Sequence, residues 1–326
     1  MFLNKSCNVK IFVLLAFFLT SCFNLFAQNF KLDFPEDSIP VIFGPGYFSD
    51  GFDNRDMAIS PGNDELFTTL QYGNSFSGIL YSRKINGLWS KPEMSFFSGM
   101  YNDLEPAFSP DGKKLYFTSN RPLSDTGRFA KDYDIWYIEK HGNSWGNPLN
   151  MGSIINSAKD EFYASLAKNG NLYFTRDNDT TADDIFFSAY KNGTYSIPIA
   201  LSSNVNSKGL DFNCFIDPAE RYLVYSSYKR SDDLGGGDLY ISINKNGEWQ
   251  PALHPGLEIN STSLDYSPFI SFDKKYFFFT SRRPTFKFPL SKPATLDGIH
   301  KILQSYGNRS EDIYIMSTRV LDKYLK

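Results

Sequence analysis

The sequence contains little histidine and cysteine, the two residues that most often carry nucleophilic catalysis and transition-metal binding. Only three of each occur in 326 residues. Cys7 and Cys22 lie near the amino terminus, which leaves Cys214 alone in the body of the chain. A disulfide framework within the body is therefore excluded. Cys214 lies in an alternating apolar segment and is predicted to be a small buried hydrophobe, because no histidine motif near it indicates a nucleophile.

The sequence also has no surplus of positive charge. Thirty-three Lys and Arg are set against 36 Asp and Glu, for a formal net charge of −3. A surface without a basic surplus does not neutralise phosphates, so no nucleic-acid partner is expected. Aromatic residues are abundant at 17%, with 31 Phe and 20 Tyr, and this content favours β-strands over helices.

Residues 1–27 have the pattern of a secretory signal peptide. Two lysines flank the start of the apolar segment 11–19, and an acceptable small-residue cleavage site ends at Ala27. The apolar segment is too short for a convincing membrane span. The alternative is a lipobox, Leu-Thr-Ser-Cys, in which Cys22 becomes the lipidated amino terminus. Cleavage after Ala27 is favoured, because an apolar run directly after Cys22 is unusual for a lipoprotein. Both interpretations predict an exported protein, in the periplasm or associated with the outer membrane.

The mature chain is organised by a repeat of about fifty residues. The segment 105–122 is predicted to form a strand, a tight Ser-Pro-Asp-Gly turn, a second strand and a terminal arginine. A third strand, a glycine-containing turn, an aromatic residue and a proline then follow. Proline cannot donate to a ladder, so it marks an outer strand. The aromatic residues assigned to the second strands are Phe67, Phe117, Phe174, Tyr225 and Phe279.

These repeats predict an all-β fold, a single β-propeller built from four-stranded blades over residues 28–326. One unit cannot bury both of its faces, and stacking copies around an axis solves that problem. Five blades are expected, with a divergent sixth as the alternative. The fifth copy lacks its fourth strand, and residues 31–52 resemble the outer strand of the other copies. We therefore expect this segment to complete the last blade and close the ring.

The segment 107–121, Ala-Phe-Ser-Pro-Asp-Gly-Lys-Lys-Leu-Tyr-Phe-Thr-Ser-Asn-Arg, resembles the TolB-type propeller repeat, a PD-containing relative of the WD repeat. Related units cover residues 53–315, although only the second copy has the full Ser-Pro-Asp-Gly turn. The motif is specific for the fold and weak for activity. The resemblance implies an exported bacterial protein that makes protein–protein contacts at the cell envelope.

Charged residues recur at matching positions of the copies, and the meander places these positions on one propeller face. They form either a ring around the central channel that binds a polar ligand, or structural arginine–carboxylate pairs within each blade. Repetition favours the structural interpretation, because a catalytic pair needs a unique environment. The candidate binding residues on this face are Glu105, Arg121, Asp134, Glu161, Arg176, Asp211, Arg230, Asp265 and Arg283.

A carbohydrate-active enzyme is the alternative function. It would use carboxylates that converge on the channel from the starts of the first strands. No copy shows an isolated carboxylate with a recognisable signature, so no catalytic residue is assigned. Two acidic loops, 177–184 and 232–238, carry suitable oxygen ligands for calcium, although their spacing fits no EF-hand. The five carboxylates considered are Asp56, Glu105, Glu161, Asp211 and Asp265.

The fifth copy departs from the repeat by a long insertion, residues 284–310, between its second and third strands. Leu296, Ile299, Ile302 and Leu303 have the spacing of a short helix with one apolar side. Long ordered loops are often functional, so the insertion, which includes His300, either docks a partner or covers the channel mouth, or else packs on the blade as a lid. The favoured function is a monomeric, non-catalytic binding module that contacts an envelope protein or a cell-wall saccharide.

Overall fold

The chain forms short antiparallel strands separated by tight turns, as its aromatic-rich repeats predict. The predicted signal peptide and the lipidation alternative at Cys22 lie outside the residues that the structure describes. Within the described part, no helix is long and apolar enough to cross a membrane. The computed structural model describes residues 31, 35–36, 38–124, 130–178, 182–287 and 289–325.

The strands form five blades, and each blade is an antiparallel meander. The first blade has β2 (Asp53–Ile59), β3 (Glu65–Tyr72), β4 (Phe76–Ile85), β5 (Leu88–Trp89) and β6 (Glu93–Met94), and it follows β1 (Val41–Ile42) in the chain. The second has β7 (Asp103–Phe108), β8 (Lys114–Ser119), β9 (Asp134–His141), β10 (Ser144–Trp145) and β11 (Leu149–Asn150). The third has β12 (Glu161–Leu166), β13 (Leu172–Asn178), β14 (Ala182–Ser188), β15 (Tyr190–Lys191), β16 (Thr194–Tyr195) and β17 (Ile199–Ala200).

The last two blades and the helical segments complete the fold. The fourth blade has β18 (Leu210–Ile216), β19 (Tyr222–Tyr228), β20 (Asp238–Lys245) and β21 (Glu248–Trp249). The fifth has β22 (Asp265–Ile270), β23 (Tyr276–Ser281) and β24 (Asp312–Ser317). The helix α1 (Leu296–Leu303) lies between β23 and β24, and two short 3₁₀ turns span Gly256–Glu258 and Thr318–Leu321.

The ring is closed by the amino-terminal strand, as the sequence predicts. β1 pairs with β24, with Val41 opposite Ile315 and Ile42 opposite Tyr314. The Phe43 N–H then donates to the Ile313 carbonyl at 2.8 Å. The predicted fold is confirmed with five blades rather than six, and both ends of the propeller contribute to one sheet.

Neighbouring blades are held together by aromatic packing. Phe67 of the first blade contacts Phe108 of the second, with ring centroids 5.7 Å apart. Tyr173 and Trp249 make the corresponding contact between the third and fourth blades at 6.1 Å. Large rings carry most of the burial energy at such sheet–sheet contacts. All five predicted second-strand aromatics are buried, at 0–1% exposure.

The register corrects one alignment of the first copy. Ala58 and Ala107 each follow the irregular point of their first strand, and they pair with Phe67 and Tyr116. Thr68, rather than Phe67, is therefore the structural equivalent of Phe117. The sequence alignment of the first copy is therefore off by one residue. The cause is that the first blade has a threonine where the other blades have an aromatic ring.

Every first strand contains a bulge at the same point, and the bulge connects each blade to the one before it. The bulge residue has positive φ, between 46° and 58°, and its backbone N–H donates to a hydroxyl on the second strand of the preceding blade. The resulting bonds are Asp56 to Thr280 (3.0 Å), Glu105 to Thr69 (3.0 Å), Tyr163 to Thr118 (3.3 Å), Asn213 to Thr175 (2.8 Å) and Ser267 to Ser226 (3.2 Å). We call this set the bulge ring.

Removing one hydroxyl from the bulge ring is expected to destabilise the whole propeller. In Thr175→Val the Asn213 N–H loses its acceptor in a buried site, and we expect the free energy of unfolding to fall by about 1–3 kcal/mol. Thr68→Val is the matched control, because the buried Thr68 hydroxyl has no hydrogen-bond partner within the described residues. Urea unfolding followed by circular dichroism measures both. Equal losses in the two variants would contradict the role of the ring.

Candidate functional site

Four blades contain the same arginine–carboxylate pair. In each one, an arginine near or just after the end of the second strand contacts a fully buried carboxylate at the start of the first strand. The pairs are Arg121–Asp103 (2.6 Å), Arg176–Glu161 (2.8 Å), Arg230–Asp211 (2.8 Å) and Arg283–Asp265 (2.5 Å). These contacts agree with the structural interpretation of the repeated charges. In the second blade the partner of Arg121 is Asp103, and Glu105 has other partners.

Each arginine also holds the linker that enters its blade. Its Nη2 donates to a backbone carbonyl of that linker in all four cases, which satisfies further guanidinium donors without a ligand. The acceptors are the carbonyls of Phe97, Ile155, Val205 and Ile259. The four arginines of the candidate face are therefore engaged within the fold.

The linkers contain an Asn-Ser motif that sequence analysis did not single out. The Asn206 side chain accepts from the Ile185 N–H and donates to the Ile185 carbonyl. It thereby fixes the linker to the third strand of the preceding blade. The next residue, Ser207, donates its N–H and its hydroxyl to Asp211. The same arrangement recurs at Asn156-Ser157 and Asn260-Ser261. The recurring Asn-Ser spacing before three of the four carboxylates was the available signal.

The aspartates at the starts of the third strands do not join the arginines. Asp134 accepts from Lys131 at 2.7 Å and from Asn150 at 2.7 Å. Asp238 accepts from the Leu234 N–H and lies 2.8 Å from His254 Nε2. The arginine–carboxylate pairs of the second and fourth blades therefore do not extend to Asp134 and Asp238.

The channel holds a charged cluster that does not repeat. Arg55 bonds Asp56 through Nε and Glu105 Oε1 through Nη2, at 3.1 and 2.9 Å. Glu105 also accepts from the Thr118 hydroxyl at 3.1 Å and the Tyr163 N–H at 2.8 Å. Its fourth donor is Asn213 Nδ2 at 3.3 Å. One carboxylate thus links residues of four blades.

The electrostatics of this cluster follow from its burial. Asp56 and Glu105 are 1% and 3% exposed. Burial raises the pKa of Glu105 to about 7; Arg55 opposes this shift, and the neighbouring carboxylate of Asp56 adds to it. Of the five carboxylates expected to converge on the channel, only these two do so. Glu161, Asp211 and Asp265 are the ones paired with arginine.

Arg55 separates the two channel carboxylates from solvent. Its guanidinium lies 4.9 Å above the Tyr266 ring and borders an open depression of about 400 Å³. Tyr133 and Phe162, whose ring centroids are 5.2 Å apart, form part of the wall. Glycoside hydrolysis needs two carboxyl groups that reach a sugar from an open site. Asp56 and Glu105 are closed in by Arg55 and the bulge ring instead.

The remaining polar candidates also have partners in the fold. Asp232 and Asp233, in the second acidic loop, both accept from the Tyr240 hydroxyl at 2.8 Å. The first acidic loop includes residues 179–181, which lie outside the described part. Within that part, no group of three or more His, Cys, Asp or Glu is arranged to hold a metal ion. Calcium binding stays a prediction. Burial raises the pKa of the Cys214 thiol well above its usual range, which keeps it protonated.

The insertion forms the predicted helix, and the helix leaves two leucines of its apolar side exposed, while Ile299 and Ile302 are half-buried. Thr295 caps α1 by accepting from the Gly298 N–H at 3.1 Å. The segment after α1 is fixed by Asn308, which donates to the Gly51 carbonyl at 2.9 Å. No α1 residue is buried: Leu296 is 70% and Leu303 is 55% exposed. His300 is also exposed on this helix.

The fold and its closed channel define the class of protein as a five-bladed β-propeller. No protein-family model and no curated protein matches the sequence. Similar solved structures include a putative TolB from Agrobacterium tumefaciens, at 15% identity over 82% of this chain and 90% of that one, TM-score 0.48. A thermostable family-43 glycoside hydrolase matches at 10% identity over 81% and 89%, TM-score 0.50. A gluconolactonase from Xanthomonas campestris matches at 9% identity over 89% and 97%, TM-score 0.44. At such identities the likeness concerns the fold alone.

The buried Glu105 carboxyl predicts a specific dependence of stability on pH. Its folded pKa of about 7 lies above the ordinary value of 4.5, so the folded protein keeps a proton that the unfolded chain releases between these values. Stability should therefore fall as pH rises through this window, by at most about 3 kcal/mol. The free energy of unfolding in urea is measured at about pH 5 and about pH 7.5 for the wild type and for Glu105→Gln. Other groups titrate in both proteins, so the difference between them isolates the titration of Glu105. A stability difference between the two proteins that does not change with pH would refute the assignment.

The repeated ion pairs predict a large cost when one arginine is removed. Arg121→Met leaves the Asp103 carboxylate buried without its cation, and we expect a loss of about 3–5 kcal/mol in the free energy of unfolding. Arg83→Met is the control, since Arg83 is exposed and its replacement should change stability by no more than about 0.5 kcal/mol. A small effect at both positions would argue against a structural role for the pair.

Proposed function

We propose that this protein is a non-catalytic binding module of the bacterial cell envelope, and that it docks a partner protein through α1 and the surface beside it. The observation that carries this proposal is the exposed apolar side of α1. Leu296 and Leu303 lie two turns apart on one face of the helix and stay mostly in solvent. A helix that only decorated a blade would bury these side chains on the sheet.

Further apolar residues extend this surface onto the first blade. Phe52 is 59% and Tyr72 is 70% exposed; Phe52 precedes Asp53 and Tyr72 follows Gln71, the pair that ends the β2–β3 ladder. Gly51, next to Phe52, touches the carboxyl end of α1, because a Cβ there would lie 2.6 Å from the Gln304 carbonyl oxygen. We call Leu296, Leu303, Phe52 and Tyr72 the docking patch. Contiguous exposed apolar surface of this kind marks interaction sites.

The charges around α1 indicate the chemistry of the partner. Residues 284–310 contain four basic side chains, Lys287, Lys292, Lys301 and Arg309, and one acidic side chain, Asp297. The insertion that carries Leu296 and Leu303 is thus basic, with four positive side chains against one negative, on a chain whose net charge is −3. Complementary charge steers association and selects partners. The partner should present apolar side chains ringed by carboxylates.

The channel geometry supports a binding role over catalysis. The carboxylates that an enzyme would use are bound by arginines within the blades or enclosed beside Arg55. The leader pattern of residues 1–27 supports export to the envelope.

Binding is tested with a double variant on the helix and a matched one elsewhere. We expect Leu296→Ser/Leu303→Ser to weaken partner binding by at least about tenfold without loss of stability, because both side chains are exposed. Ile197→Ser/Ile199→Ser is the control, with side chains 82% and 61% exposed on the outer edge of the third blade. A photo-cross-linking residue at position 296 or 197 identifies the partner in intact cells, and titration of the purified partner gives the affinities. The proposal fails if both variants bind equally, or if position 296 cross-links no protein.

A further inference from the structure

A large groove opens on the propeller face opposite α1. It is lined by the turns that join first to second strands, including residues 109–114 of the second blade and 166–170 of the third. The helix α1 follows the end of a second strand, so the two surfaces lie at opposite ends of the strands. The groove runs outward between the second and third blades, and its volume of about 980 Å³ is at the upper end of the range for ligand pockets. We call it the lysine–tyrosine groove.

Four tyrosines from two blades form its walls. Tyr116 and Tyr137 come from β8 and β9, with ring centroids 5.8 Å apart, and Tyr190 and Tyr195 face each other across the β15–β16 hairpin at 4.8 Å. Such rings offer an apolar face for stacking and a hydroxyl for hydrogen bonding. Burial raises the pKa of Tyr195 to about 12, so its phenol stays neutral at physiological pH.

Backbone geometry fixes one of these rings in place. Gly170 has φ +89°, and a Cβ there would lie 2.7 Å from the Tyr190 ring. Glycine therefore allows the ring to lie against the turn of residues 167–170, where any larger residue would displace it. Opposite, Lys114 Nζ lies 4.3 Å from the Tyr137 centroid and 3.1 Å from Glu139. The walls of the groove are thus ordered before a ligand binds.

The charge of the lining is positive, unlike that of the chain as a whole. Two of its lysines form ion pairs with carboxylates that are not part of the lining. Lys140 contacts Glu65, and Lys274 Nζ lies 3.7 Å from Asp217 Oδ1. Lys113 and Lys168 extend into solvent, and the contact of Lys113 with Asp111 is long at 4.0 Å. The lining has five lysines, Lys113, Lys114, Lys140, Lys168 and Lys274, against the carboxylates of Asp111 and Glu139.

We propose that the lysine–tyrosine groove binds an acidic oligosaccharide, with uronate carboxylates at Lys113 and Lys168 and pyranose rings on the exposed Tyr190 and the half-buried Tyr137 and Tyr195. The apolar C–H face of a sugar ring packs on an aromatic ring, and an ammonium group pairs with a carboxylate as a point charge. An extended acidic peptide fits less well, because such peptides gain affinity from an open strand edge. Tyr116 and Tyr137 lie on β8 and β9, which are paired on both sides, and the hairpin strands that carry Tyr190 and Tyr195 are only two residues long.

The proposal is tested by calorimetric titration of the full mature chain with defined probes. The probes are galacturonate and mannuronate tetramers, the carboxyl-reduced neutral form of each, and hexaglutamate. We expect at least one uronate tetramer to bind, its neutral form to bind about tenfold or more weakly, and the affinity to fall as salt rises from about 50 to about 300 mM. Absence of binding by both uronates, or equal binding of hexaglutamate, would overturn the proposal.

Two variants and their controls locate the binding. Lys113→Ala/Lys168→Ala and, separately, Tyr190→Ala should each reduce uronate affinity by about tenfold. Lys208→Ala/Lys245→Ala removes two exposed lysines outside the groove and should leave affinity unchanged. Leu296→Ser/Leu303→Ser should also leave it unchanged, which separates this site from the docking patch. Equal losses in the groove and control lysine variants would show general attraction of anions and refute the assignment.

Discussion

The bulge ring joins the five blades at the centre of the propeller, and the other features of the fold require it. Each bulge places a non-glycine residue at positive φ, a conformation that costs on the order of 1–3 kcal/mol. It also turns a backbone N–H out of its own ladder into the buried centre, where an unpaired donor would be costly. A hydroxyl of the neighbouring blade accepts that N–H. Each blade therefore needs the blade before it to accept the bulge N–H of its first strand. This dependence makes the five short sheets one cooperative unit.

The two sets of charge in the propeller have different physical roles. The repeated arginines bind buried carboxylates and linker carbonyls, and so connect the end of one blade to the start of the next. The unrepeated set in the channel joins Arg55, Asp56 and Glu105 across the axis. Because Glu105 accepts from residues of four blades, it couples them through one titratable group. Both sets are structural, and the channel itself offers little free charge to a ligand.

Two surfaces remain open: the docking patch lies where the chain departs from its repeat, and the groove includes residues 109–111 of the repeat turn itself. The docking patch exists because the fifth blade contains an extra segment between β23 and β24, and that segment keeps its leucines in solvent. The lysine–tyrosine groove exists because the second and third blades carry tyrosines and lysines on turns and outer hairpins. The two surfaces lie on opposite faces, so the occupation of one does not block the other. The proposed protein partner and the proposed saccharide ligand would therefore not compete for one surface.

The propeller, its five blades, the closing strand and the helix of the insertion could all be predicted from the sequence. These features depend on local periodicity: aromatic residues alternate in strands, turns recur at a fixed spacing, and apolar residues repeat at helical intervals. The sequence also indicated that the repeated arginines have a structural role, because a contact that each blade requires places the same residue type at the same position of the repeat. Which carboxylate pairs with the arginine became clear only in the folded chain. Asp103 and Glu105 are two residues apart and equivalent by alternation, but Glu105 is the bulge residue, so Asp103 pairs with Arg121 while Glu105 lies in the channel. The groove was likewise invisible in the sequence, because Lys113 and Tyr190 come from different blades and meet only when the sheets pack side by side.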